Sequence, residues 1–384
     1  MLKGENIICF AKDWSEDPTS NNHVMRLLAR DNKVLWINSL AMRTPSLASG
    51  KDLGKIANKL KSFMGGVTQV EPTLWVYTPI VLPFPYSRSA VWVNQFILKL
   101  TLRLLRLKLG MGRFQLWTFL PTSSVYVGKL GEDLSVYYCT DEFSKFSYLD
   151  SARIAEMERE MLEKVDLVFA TAHSLLESKK RHNANAFLAS HGVDYEHFRR
   201  ALDEDVELPA DVAEIKQPIL GFFGLIHNWI DIELLAWLAE QRPEWCVVII
   251  GQANISVSRL ARLPNVRLLG RKPYEELPGY CKAFSVGLIP FVINDLTAHV
   301  NPIKLREYLS AGLPVVSTPL PEVRFYDHLC SVVDSREAFL SACDAAIRED
   351  APEARIRRSK AMSRETWEQK VEEIGKHIMD VRGT

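Results

Sequence analysis

His299-Val-Asn-Pro-Ile-Lys-Leu-Arg-Glu-Tyr-Leu-Ser-Ala-Gly-Leu-Pro-Val-Val-Ser-Thr318 reads as a helix, a stop and a strand. Asn301 suits an N-cap and Pro302 the first helical position. Ile303, Leu305, Tyr308 and Leu309 give the helix an apolar face. Gly312 is a natural stop, and Pro314 to Thr318 reads as a short buried strand. The helix is about two turns long, and its free N–H groups point at whatever precedes Asn301. Such an end attracts anions, phosphate above all. Lys304 in the first turn opposes the helix dipole, so it calls for an anion nearby. Glu307 lies a little over one turn in, where a carboxylate can accept two hydrogen bonds from a vicinal diol such as a ribose. The plainer alternative is an ordinary buried helix-turn-strand unit of an α/β protein.

Upstream of this stretch runs a β-α-β series. Strands are expected at Pro218–Gly224, Trp245–Gly251, Asn265–Gly270 and Ser285–Pro290, and a helix at Ile232–Glu240. The small-residue loop from Gly221 to His227 follows the first strand, so backbone there can approach a phosphate closely. Arg271 and Lys272 follow the third strand and are candidates for phosphate contact, or else a solvated pair.

A second series occupies the first half. Asn6-Ile-Ile-Cys-Phe10 reads as a buried strand, a helix starts near Ser20, and Lys33–Asn38 is the next strand. Further strands are expected at Leu74–Thr78, Gln115–Phe119, Ser135–Tyr138 and Asp166–Ala170. This alternation implies parallel doubly wound sheets. No Gly-x-Gly-x-x-Gly follows the first strand, which argues against a dinucleotide site there. Asp141 and His173 each fall just past a strand, where open α/β sheets place ligands. The alternative for each is a capping or surface polar residue.

At Glu307 and Ala311-Gly-Leu-Pro-Val-Val316 the chain resembles the retaining, GT-B fold glycosyltransferases of the family 4 (group 1) type. Their signature is two Glu separated by seven residues, then a small-residue, Gly, Pro, Val-Val run. Glu307 matches the second Glu; the first Glu's position is His299, a departure. A second departure is the absence of Lys or Arg between Gly221 and Arg242, which leaves His227 and Lys304 to supply charge.

The resemblance implies two Rossmann-like domains facing a cleft, with a C-terminal helix crossing back to the first domain. The expected divisions are residues 1–195 for acceptor binding, 196–217 as linker, 218–360 for the nucleotide-sugar, and 361–384 as the returning helix. It implies transfer of a sugar from a nucleotide-sugar to a hydroxyl of a sugar or lipid-linked glycan, in cell-surface polysaccharide or glycolipid assembly. Asp141, His173 and His299 become candidates for contact with the reacting centre. Gly224, His227, Arg271, Lys272, Asn301, Ile303, Lys304 and Glu307 become candidates for holding the nucleotide-sugar. No metal or further cofactor is expected. A sugar epimerase, an inverting transferase and an inactive scaffold share the fold and stay open.

Composition fits this picture. The chain has 384 residues, 47% hydrophobic, with 47 basic and 47 acidic side chains. Zero net charge argues against a general nucleic-acid binder. The six cysteines form no Cys-x-x-Cys pair and read as small core residues of a protein in a reducing cytoplasm. No signal peptide and no membrane-spanning run are read. Charge is nonetheless uneven: residues 51–113 hold ten basic side chains against two acidic ones. Two basic amphipathic helices are expected there, at 51–63 and 92–109. They are candidates for an anionic membrane surface at its inner face, or for packed helices with solvated basic sides. In the C-terminal helix, Trp367, Val371, Ile374 and Ile378 should face inward, with Ser363 to Lys370 supplying the capping chemistry.

Overall fold

A computed structural model describes residues 2–16, 18–40 and 66–383. The expected helix at 51–63 lies outside the described residues. The chain divides into two compact units, Met1–Ser190 with Lys370–Thr384, and His191–Gln369.

The first unit is built on an eight-stranded sheet. Its strands are β1 (Asn6–Phe10), β2 (Lys33–Ile37), β3 (Thr68–Glu71), β4 (Leu74–Tyr77), β5 (Gln115–Thr118), β6 (Leu134–Cys139), β7 (Leu167–Ala170) and β8 (Ala186–Leu188). Their order is β3-β4-β2-β1-β5-β6-β7-β8. All pairs are parallel except β3 with β4. Because helices cover both faces, the central strands are buried runs rather than alternating ones: β1, β2, β5, β6 and β7 are almost wholly buried. Helices α1 (Ser20–Ala29), α2 (Arg88–Leu109) and α3 (His173–Lys180) belong to this unit.

The second unit carries a six-stranded parallel sheet of β9 (Ile219–Phe223), β10 (Cys246–Ile250), β11 (Val266–Gly270), β12 (Val286–Ile289), β13 (Val315–Ser317) and β14 (Ser331–Val332). The order is β11-β10-β9-β12-β13-β14. The chain first winds outward from β9 through β10 to β11, then returns to β12 on the other side. The carboxyl end of β9 is therefore the topological switch point, where open parallel sheets leave a crevice for a ligand.

One expectation changes here. Residues 196–217 are built into the second unit: helix α4 (Tyr195–Arg199) and the turns after it bury Phe198, Ala201 and Val212 in its core. Their apolar residues are too sparse to show a period, which hid this from the sequence. Gly192 does not adopt a positive φ. Its reason is proximity, since a Cβ there would stand 2.5 Å from the backbone nitrogen of Trp367.

Helices α5 (Ile232–Gln241) and α6 (Ile303–Ser310) flank the second sheet. Helix α7 (Trp367–Gly383) starts in the second unit, and from Lys370 onward belongs to the first. Trp367, Val371, Ile374 and Ile378 are all buried. Within the first unit His377 stacks on Phe187 at 4.1 Å, and Arg382 Nη1 pairs with Glu5 at 2.7 Å.

Candidate nucleotide-sugar site

The end of β9 is fastened to α6. The backbone N–H of Phe223 donates to the Tyr308 hydroxyl at 3.0 Å. Lys304, one helical turn before Tyr308, lies across Gly224: a Cβ on that glycine would sit 2.1 Å from Lys304 Cε. Gly224 also has φ +138, a conformation that disfavours any other residue. Its carbonyl oxygen in turn presses on Gly251, and its N–H donates to Ile250 at 2.8 Å. The ends of β9 and β10 are thus bare backbone with one lysine laid over them.

Helix α6 begins one residue later than expected. Pro302 occupies the cap position and no side chain caps the helix. Asn301 is buried, and its Oδ1 accepts from Arg306 Nη1 at 2.8 Å instead of serving the helix start. Arg306, itself buried, also donates to the Tyr326 hydroxyl at 2.7 Å. The result is a rigid helix start with uncapped N–H groups, an anion-binding geometry. Ile303 is half-buried at that start, and the helix ends at Ala311 before Gly312, whose φ is +79.

Glu307 shares a face with Lys304, three residues on. Burial pushes its carboxyl up to about 7, against the neighbouring Lys304 ammonium, which holds it down. Burial likewise lowers the Lys304 ammonium, with Glu307 opposing. Tyr274 lies close enough for Glu307 to act on its phenol, after burial the largest influence there. Its ring stacks on His197 at 4.5 Å.

Beside this crevice is a cavity of about 380 Å³ lined by Ile226, Gly251, Gln252, Val257, Leu268 and Arg271. Arg271 is exposed at its rim. His227, half-buried on the loop after β9, stacks on Trp229 at 4.3 Å. His299 ends a short turn of helix four residues before α6 and is also half-buried. Lys272 is engaged elsewhere: its ammonium pairs with Asp211 at 2.6 Å, and that hydrogen bond raises its pKa. It faces a larger cavity of about 650 Å³ whose walls include Asp205, Glu207, Asp211, Glu275 and Glu276. So many carboxylates make that cavity the wrong environment for a diphosphate. The Asp203-Glu204-Asp205 run beside it has the Asp-x-Asp spacing of some metal sites. The carbonyls of Asp203, Glu204 and Val206 all accept from Lys282, and Asp203 pairs with Arg199.

In the first unit, Asp141 and His173 come to neighbouring strand ends. Asp141 follows β6 and His173 opens α3 after β7. Thr171 Oγ1 donates to the Thr140 carbonyl at 2.9 Å, tying the two loops together. His173 is exposed, whereas burial raises the half-exposed Asp141 carboxyl above its ordinary range, against a hydrogen bond from Thr140.

Four residues of the crevice escaped the sequence reading: Gly251, Tyr274, Arg306 and Tyr308. Gly251 ends a strand as Gly224 does, a parallel that was available. Tyr308 was read only as apolar, and nothing in the sequence aims its hydroxyl at Phe223.

Residues 217–349 match the family described as glycosyl transferases group 1. The whole chain superposes on sucrose-phosphate synthase of Thermosynechococcus elongatus, with TM-score 0.71, 15% identity and 99% of each chain covered. It also superposes on the Anabaena HepE protein in complex with UDP, with TM-score 0.65, 11% identity, and 98% and 100% covered. The group 1 match lies in the second unit, and the fold of the chain is the one these solved structures share. Among curated proteins the chain is similar to TuaH of Bacillus subtilis (strain 168), whose name assigns it to teichuronic acid biosynthesis as a glycosyltransferase. The two are 26% identical over 261 residues, 62% of this chain and 64% of that protein.

Proposed function

We propose that the chain transfers a sugar from a nucleoside-diphosphate sugar to a hydroxyl acceptor, with retention of anomeric configuration, in assembly of a cell-surface polysaccharide or glycolipid. The bond from the anomeric carbon to the diphosphate oxygen breaks, and the bond to the acceptor oxygen forms. The acceptor's proton leaves with the diphosphate. One observation carries the reading: Lys304 and Glu307 share one face of α6, with Lys304 laid over the bare backbone of Gly224 at the switch point. In this reading the uncapped start of α6, with Ile303 and Lys304, holds the diphosphate. Glu307 takes the ribose diol, and the cavity between Ile226 and Arg271 takes the base. His227 and His299 lie toward the sugar, while Asp141 and His173 serve the acceptor. Rate enhancement comes from positioning and from fixed positive charge at the leaving group. The curated relative's name supports a polysaccharide setting.

The test is a thermal-shift screen against UDP, GDP, ADP, TDP and CMP. A ligand at about a hundred times its dissociation constant adds about 2.7 kcal/mol of stability. A shift with one nucleotide, lost in Glu307→Ala, supports the site and names the base. No shift with any of them overturns the donor-site reading. His299, standing where the family's first Glu would be, then favours a scaffold, in which Glu307→Gln leaves cellular function intact.

A further inference from the structure

Helix α2 carries an apolar face that the other described residues of its unit leave exposed. At about 100° per residue, Ala90, Asn94, Leu98 and Leu102 point one way, and all four are buried. Trp92, Phe96, Leu100, Leu104 and Leu107 gather on the opposite side, each at least half exposed, from Leu100 at 51% to Leu107 at 73%. The patch continues into the segment before the helix, where Ile80, Leu82 and Phe84 are exposed too. That segment is held in place. Asn94 takes the Leu82 N–H at 2.7 Å and donates to the Leu82 carbonyl at 2.9 Å. Half of all the exposed large apolar side chains among the described residues therefore lie between residues 80 and 107. Single exposed apolar residues need no explanation, but a continuous stripe of this kind marks a contact surface.

Charge identifies the occupant. Helix α2 has five basic residues and no acidic one. Arg88, Lys99 and Arg103 fall along one border of the stripe, Lys108 along the other, and all four are exposed. In a symmetric contact between two copies of this chain, those charges would meet their own kind. An anionic lipid surface takes the apolar side chains into its acyl boundary and the basic ones at its headgroups. Among the described residues no helix is long and apolar enough to cross a membrane. Helix α2 would lie in the interface plane rather than span it.

We propose that α2, with the segment from Ile80 to Phe84, docks the protein on an anionic bilayer. The inference stands apart from the donor site, since vesicle binding needs no nucleotide.

The experiment is flotation of the full chain with phosphatidylcholine vesicles, with and without phosphatidylglycerol, at low and high salt. The wild type is expected to float with the anionic vesicles and to be partly released by salt. A Phe96→Ser/Leu100→Ser/Leu104→Ser triple variant should lose about tenfold or more in partitioning at either salt. Lys99→Glu/Arg103→Glu should lose a comparable factor on anionic vesicles only. These side chains are exposed, so the thermal melts should match the wild type; if the triple variant melts early, the charge-reversal variant carries the test. A wild type that floats with neither vesicle overturns the proposal, as do variants that float unchanged. Self-association in sedimentation that the triple variant abolishes overturns it as well, because the face is then a contact between copies.

Discussion

The two units each bring a lysine together with glutamates, and the two arrangements differ in how completely the charges are answered. In the first unit Lys179 is buried and donates to Glu158 at 2.8 Å and Glu142 at 3.0 Å, and Tyr137 donates to Glu158 at 2.7 Å. Burial works against the Lys179 ammonium, but the surrounding anionic groups, Glu158 and Glu142 among them, more than offset it and raise its pKa. In the second unit Lys304 and Glu307 are half-buried beside bare backbone, and burial moves each toward its neutral form. The closed cluster needs nothing more. The open pair sits at a switch point, and in the proposed function an anion completes the lysine and hydrogen-bond donors complete the glutamate.

The comparison is broken most sharply at the closed cluster. Lys179→Met leaves the buried Glu158 and the partly buried Glu142 without their cation, at a cost of about 3–5 kcal/mol. Urea unfolding of the full chain measures it. The Lys179→Met/Glu158→Leu double variant should recover part of that loss, because one of the two stranded charges goes too. A loss under about 1 kcal/mol in the single variant would mean that the cluster is not closed.

The open pair should respond the other way. Lys304→Ala is expected to lower folding stability by less than about 1 kcal/mol, and Glu307→Gln not to lower it, since it removes a buried ionisable group. Their effect falls on the ligand. Affinity for the nucleotide found in the thermal-shift screen should drop about ten- to a hundredfold, or about 1.4–2.8 kcal/mol. Titration calorimetry separates the outcomes. Lower stability with unchanged affinity would make the pair structural, like its counterpart in the first unit.

This contrast also explains what the sequence disclosed. Parallel strands buried on both faces write themselves as apolar runs, so β1, β2, β5, β6, β9, β10 and β12 were legible from composition alone. The strands that were missed had no such run. Thr68–Glu71 is a largely exposed antiparallel edge, and Ala186–Leu188 and Ser331–Val332 are three and two residues long. Lys304 and Glu307 could be singled out because a helix start and a signature surround them. Lys179, Glu158 and Tyr137 are spread over three elements, and only the fold joins them. Lys272 and Asn301 show the limit from the other side. Their local context suggested ligand contact and capping, yet Asp211, far away in sequence, claims Lys272, and Arg306 on the helix itself claims Asn301.

The smallest expected effect is the most specific to the open pair. An ordinary Glu titrates near 4.5, whereas burial holds Glu307 near 7 in the free protein. Between those values the folded chain binds more protons than the unfolded one, so this group's contribution to stability falls as pH rises through the window, by no more than about 3 kcal/mol. Ligand binding runs in the opposite sense. A ribose diol donates its hydrogen bonds to the carboxylate and not to the acid, so affinity should rise with pH through about 7 and level off above it. Below 7 each pH unit costs up to about tenfold. A nucleotide-sugar is the proper probe, because its diphosphate is esterified at both ends and loses no proton in this range. Binding should release a proton, visible as a dependence of the calorimetric enthalpy on the buffer's ionisation enthalpy. Glu307→Gln should remove both the pH slope and the buffer dependence, and Lys179→Met should leave both intact. A slope that survives in Glu307→Gln would assign the titration to another group and take the ribose away from Glu307.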